Sequence, residues 1–184
     1  MKIAIIGGIG SGKSTAGKII KDLGYDVYSC DEIYAGIMKE KDYIEKIQKL
    51  FPSAVVNGEI DRKILGSIVF NNNAERAKLN ALAHPIIRQR IEELAQNAKG
   101  DIFVEIPVFI GSGVENEFDK VILVCADMKL RIQRIIERTG YEKEYVKKII
   151  SIQPTDDELE KYATSIVLNN KDAIHLRQQL VKVL

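Results

Sequence analysis

Lys2-Ile3-Ala4-Ile5-Ile6-Gly7-Gly8-Ile9-Gly10-Ser11-Gly12-Lys13-Ser14-Thr15 decides the fold, because a strand signal, a loop signal and a helix signal follow one another without a gap. Ile3 to Ile6 is apolar without polar alternation and reads as a strand buried on both faces. Gly7 to Ser14 matches G-x-x-x-x-G-K-[ST], with Gly7 and Gly12 as the outer glycines, and Ala16 to Leu23 follows with a helical pattern. Glycines here let successive backbone N–H groups turn around an anion, and the helix behind them adds its positive N-terminal end. The arrangement predicts a phosphate cradle, in which Lys13 reaches the β- and γ-phosphates and the Ser14 hydroxyl ligates Mg²⁺. Gly8, Ile9, Gly10, Ser11, Gly12, Lys13, Ser14 and Thr15 are its candidate nucleotide contacts. A glycine-rich turn that binds nothing would need neither Lys13 nor Ser14.

The rest of the composition narrows the class of ligand. The chain has 184 residues and is 46% hydrophobic, enough for one well-cored domain. Its 27 basic and 26 acidic side chains nearly cancel, so no overall field favours nucleic acid or an anionic membrane, and a small metabolite is the expected partner. No apolar run approaches the ~20 residues of a membrane span. The first apolar stretch ends at once in the glycine loop, which leaves no signal-peptide architecture and predicts a cytoplasmic protein. Cys30 and Cys125 fit neither a metal-ligand spacing nor a disulfide framework, and each ends a strand-like run, where a small packed thiol suffices. His84 and His175 are too scattered for a metal site.

Five apolar runs read as strands: Lys2 to Ile6, Tyr25 to Ser29, Ile102 to Ile106, Lys120 to Cys125 and Ser165 to Asn169. Such runs separated by helical segments predict an α/β fold, a five-stranded parallel sheet with helices on both faces. Ligands in these folds bind at the carboxyl ends of the strands, so Gly7 to Thr15, Cys30 to Glu32, Glu105 to Ser112 and the segment after Cys125 are expected to converge. Between the second and third strands lies a helical insert with no strand, covering Asp42 to Phe51, Asp61 to Phe70, Ala74 to Ala83 and Pro85 to Ala98. Pro85 is placed in a helix first turn, and Asn57-Gly58 and Asn71-Asn72-Asn73 punctuate the insert. A helical hairpin over Lys129 to Arg138 and Glu142 to Ile152 follows the fourth strand. Arg131, Arg134 and Arg138, spaced i, i+3, i+7, share one of its faces: either a solvated stripe or a set that closes over transferring phosphate.

These segments resemble the dephospho-coenzyme A kinase family of P-loop kinases. The resemblance rests on residues 7 to 15, on Cys30-Asp31-Glu32-Ile33, and on Gly58-Glu59-Ile60-Asp61-Arg62-Lys63-Ile64-Leu65-Gly66-Ser67-Ile68-Val69-Phe70. It continues through His84-Pro85-Ile86-Ile87-Arg88, Ile106-Pro107, Gln133-Arg134 to Arg138 and Asn169-Asn170, so that it covers nearly the whole chain as a single domain. The resemblance implies transfer of phosphate from ATP, with Mg²⁺, to the ribose 3′-hydroxyl of dephospho-CoA. It implies an acceptor-binding insert over about 31–98 and a lid over about 129–158. Asp31 falls at the family's general base, a role to be weighed against simple capping of a helix beginning near Ile33. Lys13 and Arg138 join it as catalytic residues. Arg134 and Asn169 are placed at the nucleotide; Arg62, His84, Arg88, Glu105 and Pro107 are placed with Asp31 at the acceptor. The expected assembly is a monomer or weak homo-oligomer.

Four positions depart from the family pattern. Glu105 stands where Asp is usual, Val108-Phe109-Ile110-Gly111 lacks a carboxylate, Arg131 replaces a common Gln, and Lys171 replaces a Gly. An alternative reading keeps phosphotransfer but takes a nucleoside monophosphate or another small hydroxyl compound as acceptor. A nucleotide-dependent switch is disfavoured, because there is no Asp-x-x-Gly and Asn170-Lys171-Asp172-Ala173 lacks the terminal Asp of a guanine-reading motif.

Overall fold

Ile3 to Ile6 are buried, as their lack of alternation requires, and they form the middle strand of the principal sheet. The structure is a computed structural model that describes residues 1–70 and 72–184. In chain order the elements begin with β1 (Lys2–Ile6), α1 (Lys13–Asp22), β2 (Asp26–Ser29), α2 (Cys30–Ile37) and α3 (Lys41–Leu50). A short 3-10 turn at Pro52–Ala54 leads into β3 (Val55–Val56), β4 (Glu59–Ile60), α4 (Arg62–Phe70) and α5 (Asn73–Asn97). The chain finishes with β5 (Ile102–Glu105), β6 (Lys120–Cys125), α6 (Met128–Thr139), α7 (Lys143–Ser151), α8 (Asp156–Glu160), β7 (Ser165–Leu168) and α9 (Ala173–Val183).

Two compact units result, Met1–Ser29 with Leu94–Leu184, and Cys30–Glu93. The first holds the parallel sheet, in the order β2-β5-β1-β6-β7. Ile3, Ile5, Phe103, Ile122, Val124 and Val167 pack against Ala16, Ile19 and Ile20 of α1 and Leu176 and Leu180 of α9. Ala4, Ile6, Val104, Val121 and Leu123, which alternate with them, are buried too, so both sheet faces are covered. Each of the buried Val, Leu, Ile and Phe side chains among them contributes about 1.5–3 kcal/mol. The register pairs Ile5 with Glu105, Ile6 with Leu123 and Cys125 with Leu168, which brings the residues following β1, β5, β6 and β7 to one edge.

The second unit packs Ile37, Met38, Tyr43, Ile47, Phe51, Ala54 and Leu65 into its own core. Two sequence expectations fail here. Asn57-Gly58 is a turn, but it joins β3 to β4 in a small antiparallel ribbon where only helix was expected. Pro85 does not start a helix: α5 runs through it as one helix of 25 residues. An interior proline costs about 3 kcal/mol, since Ala81 loses the N–H it would accept from. Leu79, Leu82, Ile86 and Ile87, on both sides of the proline, pack on the unit's core, and this burial offsets the lost bond. The start of α5 is marked instead by Asn72, whose side chain accepts from the N–H groups of Ala74 and Glu75.

Candidate active site

The loop between β1 and α1 is shaped by contacts that leave its glycines no room for side chains. Gly10 and Gly12 adopt left-handed backbone conformations, with φ of 77° and 100°. A Cβ on Gly7 would lie 2.3 Å from the Val124 carbonyl oxygen, one on Gly8 2.0 Å from a guanidinium nitrogen of Arg131, and one on Gly12 2.1 Å from Asn169 Nδ2. The loop is therefore seated against the ends of β6 and β7 and against α6. Lys13 Nζ curls back over it, donating to the carbonyls of Gly7 at 2.7 Å and Gly8 at 3.3 Å. Ser14, in the first turn of α1, donates its hydroxyl to Glu105 Oε1 at 2.7 Å.

The strand ends supply the struts. Asn169, buried just past β7, donates Nδ2 to the Ser11 carbonyl at 2.9 Å. Arg134 Nη2 donates to the Asn169 carbonyl at 2.9 Å, and its other terminal nitrogen reaches the Gly10 carbonyl at 3.5 Å. Asn170 and Asp127 exchange two bonds of 2.8 Å, which tie the residues after β6 to those after β7. The arginine stripe thus divides. Arg131 is buried and Arg134 half-buried, and both are committed to backbone carbonyls, whereas Arg138 is exposed in the last turn of α6. Arg131 is therefore no part of a solvated stripe. Its Nε donates to the Ile9 carbonyl at 2.9 Å and Nη1 meets Asp156 at 3.4 Å.

Two further residues at this edge had not been singled out by sequence reasoning. Gln153, after α7, accepts the Ile9 N–H at 2.8 Å. Asp156 is placed by α8, whose start is fixed by a capping box between Thr155 and Glu158. The Thr-x-x-Glu signal for that helix is present in the sequence; nothing local marks Gln153. Beside Gly7 and Gly8 opens a cavity of about 250 Å³ with Pro107, Val108, Phe109, Ile152 and Pro154 among its walls. Cys125 lies next to Asp156, and burial first, then that carboxylate, pushes its thiol up to about 12.

The remaining predicted residues belong to the second unit. Helix α2 begins at Cys30, so Asp31 sits exposed inside its first turn and is not the cap of a helix starting near Ile33. Asp61 does cap α4, accepting from Lys63 and Ile64 at 2.8 and 3.0 Å, and presents Arg62 as the first, exposed residue of that helix. His84 and Arg88 are one turn apart on α5 and half-buried. Tyr34 and Tyr43 hydroxyls meet at 3.0 Å. Burial raises both phenols above their ordinary range, while the hydrogen bond to Tyr43 and then the Arg62 charge work in the opposite direction on Tyr34.

Ser14 and Glu105 offer a hydroxyl and a carboxylate, hard oxygen donors of the kind Mg²⁺ takes when substrate phosphates and water complete its shell. Among the described residues there is no cluster of three or more His, Cys, Asp or Glu side chains that would hold a metal by itself.

The chain is similar to known proteins in sequence and in fold. A dephospho-CoA kinase from Geobacillus kaustophilus is 35% identical, covering 100% of this chain and 95% of its own. One from Fusobacterium nucleatum is also 35% identical, over 94% of this chain and 91% of the relative. A solved protein from Thermus thermophilus superposes with a TM-score of 0.88 at 31% identity, covering 100% of this chain and 95% of that one. The dephospho-CoA kinase from Campylobacter jejuni gives 0.74 at 34% identity, with 100% and 96% covered. A shikimate kinase from Acinetobacter baumannii, at 13% identity and a TM-score of 0.58, shares the fold alone. The profile described as dephospho-CoA kinase matches residues 1–175, and with these relatives it shows that the chain belongs to the dephospho-CoA kinase family.

Proposed function

We infer that this chain transfers the γ-phosphoryl group of ATP to the ribose 3′-hydroxyl of dephospho-CoA, giving coenzyme A and ADP. The observation that carries the reading is a phosphate loop complete with Lys13 and a Ser14–Glu105 pair, in a chain matching this family over residues 1–175. In the transfer the hydroxyl oxygen bonds to the γ-phosphorus, the bond from that phosphorus to the β–γ bridging oxygen breaks, and ADP leaves. Asp31 is assigned as the carboxylate that orients the hydroxyl and takes its proton. Lys13 exchanges its contacts to the Gly7 and Gly8 carbonyls for the β- and γ-phosphates. Arg138, not committed to the loop backbone as Arg131 and Arg134 are, is the lid arginine assigned to the charge on the transferring group. Arg62, His84, Arg88 and Pro107 remain assigned to the acceptor.

Mg²⁺, held through Ser14 with Glu105 beside it, would neutralise phosphate charge. The structure supports Glu105 in this metal-side role better than in contact with the acceptor, because its carboxylate is bonded to the loop serine. The activity needs no membrane, and no helix of the described residues is long and apolar enough to cross one. A cytoplasmic location is part of this proposal.

Incubation with Mg-ATP and dephospho-CoA, AMP, CMP or shikimate, followed by ADP release, tests the assignment. Dephospho-CoA is expected to give the fastest release. Faster release with AMP or shikimate would overturn the acceptor.

A further inference from the structure

Ile9, at the crown of the phosphate loop, is held at three points by one segment more than a hundred residues away in sequence, residues 131–153. Its carbonyl accepts from Arg131 Nε at 2.9 Å, and its N–H donates to Gln153 Oε1 at 2.8 Å. Its side chain packs against the cluster of Ile135, Val146 and Ile150 formed by α6 and α7. Both backbone polar groups and the side chain of one loop residue are thus fixed by the α6–α7 hairpin, through Arg131 within α6, and by Gln153, which follows α7. Gly8 and Gly10 complete the fit, since a Cβ on either would meet Arg131, on the guanidinium at 2.0 Å or on the backbone oxygen at 2.8 Å.

Arg131 is only 4% exposed. A guanidinium taken out of water is costly unless its donors are satisfied, and Asp156 at 3.4 Å with the Ile9 carbonyl does part of that work. A buried charge in such a place contributes little to net stability, because an apolar pair of similar volume would serve as well or better. What a guanidinium provides that an apolar side chain cannot is a rigid fork that fixes the direction of a carbonyl. Turning the Ile9 peptide would also rotate the amide of Gly10, the next group in the cradle.

We propose that Arg131 and Gln153 are positioning residues for the phosphate loop: Gln153 locks the Gly8–Ile9 peptide and Arg131 the Ile9–Gly10 peptide, and together they set the cradle geometry on which nucleotide affinity depends. The inference rests on the nucleotide-binding part of the function assigned above. It adds that the lid segment shapes the loop through the two peptides on either side of Ile9, besides carrying Arg138.

The test is MgATP titration without acceptor, on the wild type, on Gln153→Leu, and on Arg131→Met combined with Asp156→Asn. The first variant removes the acceptor for the Ile9 N–H without changing charge; the second removes the buried guanidinium without leaving its carboxylate partner charged. Each is expected to weaken MgATP binding about tenfold, the scale of losing one well-positioned polar contact. Melting of the nucleotide-free protein should stay near the wild-type temperature, and KM for ATP should rise while KM for the acceptor holds. Wild-type MgATP affinity in both variants overturns the inference alone, as does a loss that simply follows reduced melting temperature. If the double variant does not fold, Gln153→Leu decides the matter. A wild-type protein that fails to bind MgATP would overturn the functional reading along with it.

Discussion

Ser14 donates its hydroxyl to Glu105 Oε1 at 2.7 Å, joining the first turn of the helix after the phosphate loop to the end of β5. Glu105 pairs in register with Ile5 on one side and Ser29 on the other, so its carboxylate is placed by the sheet and not by a loop. From that strand end the Glu105 side chain reaches the loop serine directly.

Removing that charge tests the metal-side role. Glu105→Gln keeps an oxygen able to accept from Ser14 but loses the carboxylate, so the Mg²⁺ concentration for half-maximal activity should rise by roughly 10- to 100-fold. KM for dephospho-CoA should be little changed, and Glu105→Asp should restore most of the Mg²⁺ response. A variant that raises only the acceptor KM would return Glu105 to the acceptor site.

Asp31→Asn preserves size and hydrogen bonding while removing the basic carboxylate. ATP binding should persist and kcat should fall by roughly 10²- to 10⁴-fold, the range for loss of a general base. Nucleotide titration and steady-state kinetics on one preparation separate the two effects. Near-normal kcat would leave Asp31 as a substrate contact or a helix-terminus carboxylate.

Arg138→Ala truncates an exposed side chain and should leave the melting temperature within a degree or two. Its kcat should drop by up to ~10³-fold, with a smaller change in KM, if the guanidinium meets the transferring group mainly at the transition state. Unchanged kcat would make it part of a solvated face.

Cys125 offers a test of stability against pH. Burial, with Asp156 adjacent, raises its thiol from 9.0 to about 12 in the folded protein. Above the unfolded value the unfolded chain sheds the proton and the folded one keeps it, so stability falls as pH rises from about 9 towards 12. Urea unfolding should show a steeper decline between pH 8.5 and 10 for the wild type than for Cys125→Ser. Equal slopes would exclude this thiol as the source. Tyr34 and Tyr43, raised as well, add their share at higher pH.

The parallel sheet was legible because Ile3 to Ile6 and Val121 to Val124 are apolar without alternation, which few other structures tolerate. The phosphate loop was legible because its chemistry is written in consecutive residues. The β3–β4 ribbon was not, since strands of two residues carry no period, and the turn at Asn57-Gly58 is their only mark. Helix α5 crosses Pro85 because packing on both sides outweighs a local break that sequence must take at face value. The grip on Ile9 joins residues 122 and 144 positions apart, and a contact of that range leaves no trace in either local segment.

The glycines of the loop differ in what prevents a side chain, and this gives them different genetics. A methyl group at Gly8 would strike the end of the Arg131 side chain, and one at Gly12 would strike Asn169 Nδ2. Each obstacle is itself a side chain, so a shorter residue at 131 or 169 would act as a second-site suppressor of the corresponding alanine substitution, most readily at position 8, where φ is not positive. At Gly7 the obstacle is the main-chain carbonyl of Val124, 2.3 Å away, which every amino acid at position 124 possesses. Reversion selections on Gly8→Ala should therefore return pseudorevertants, whereas those on Gly7→Ala should return glycine.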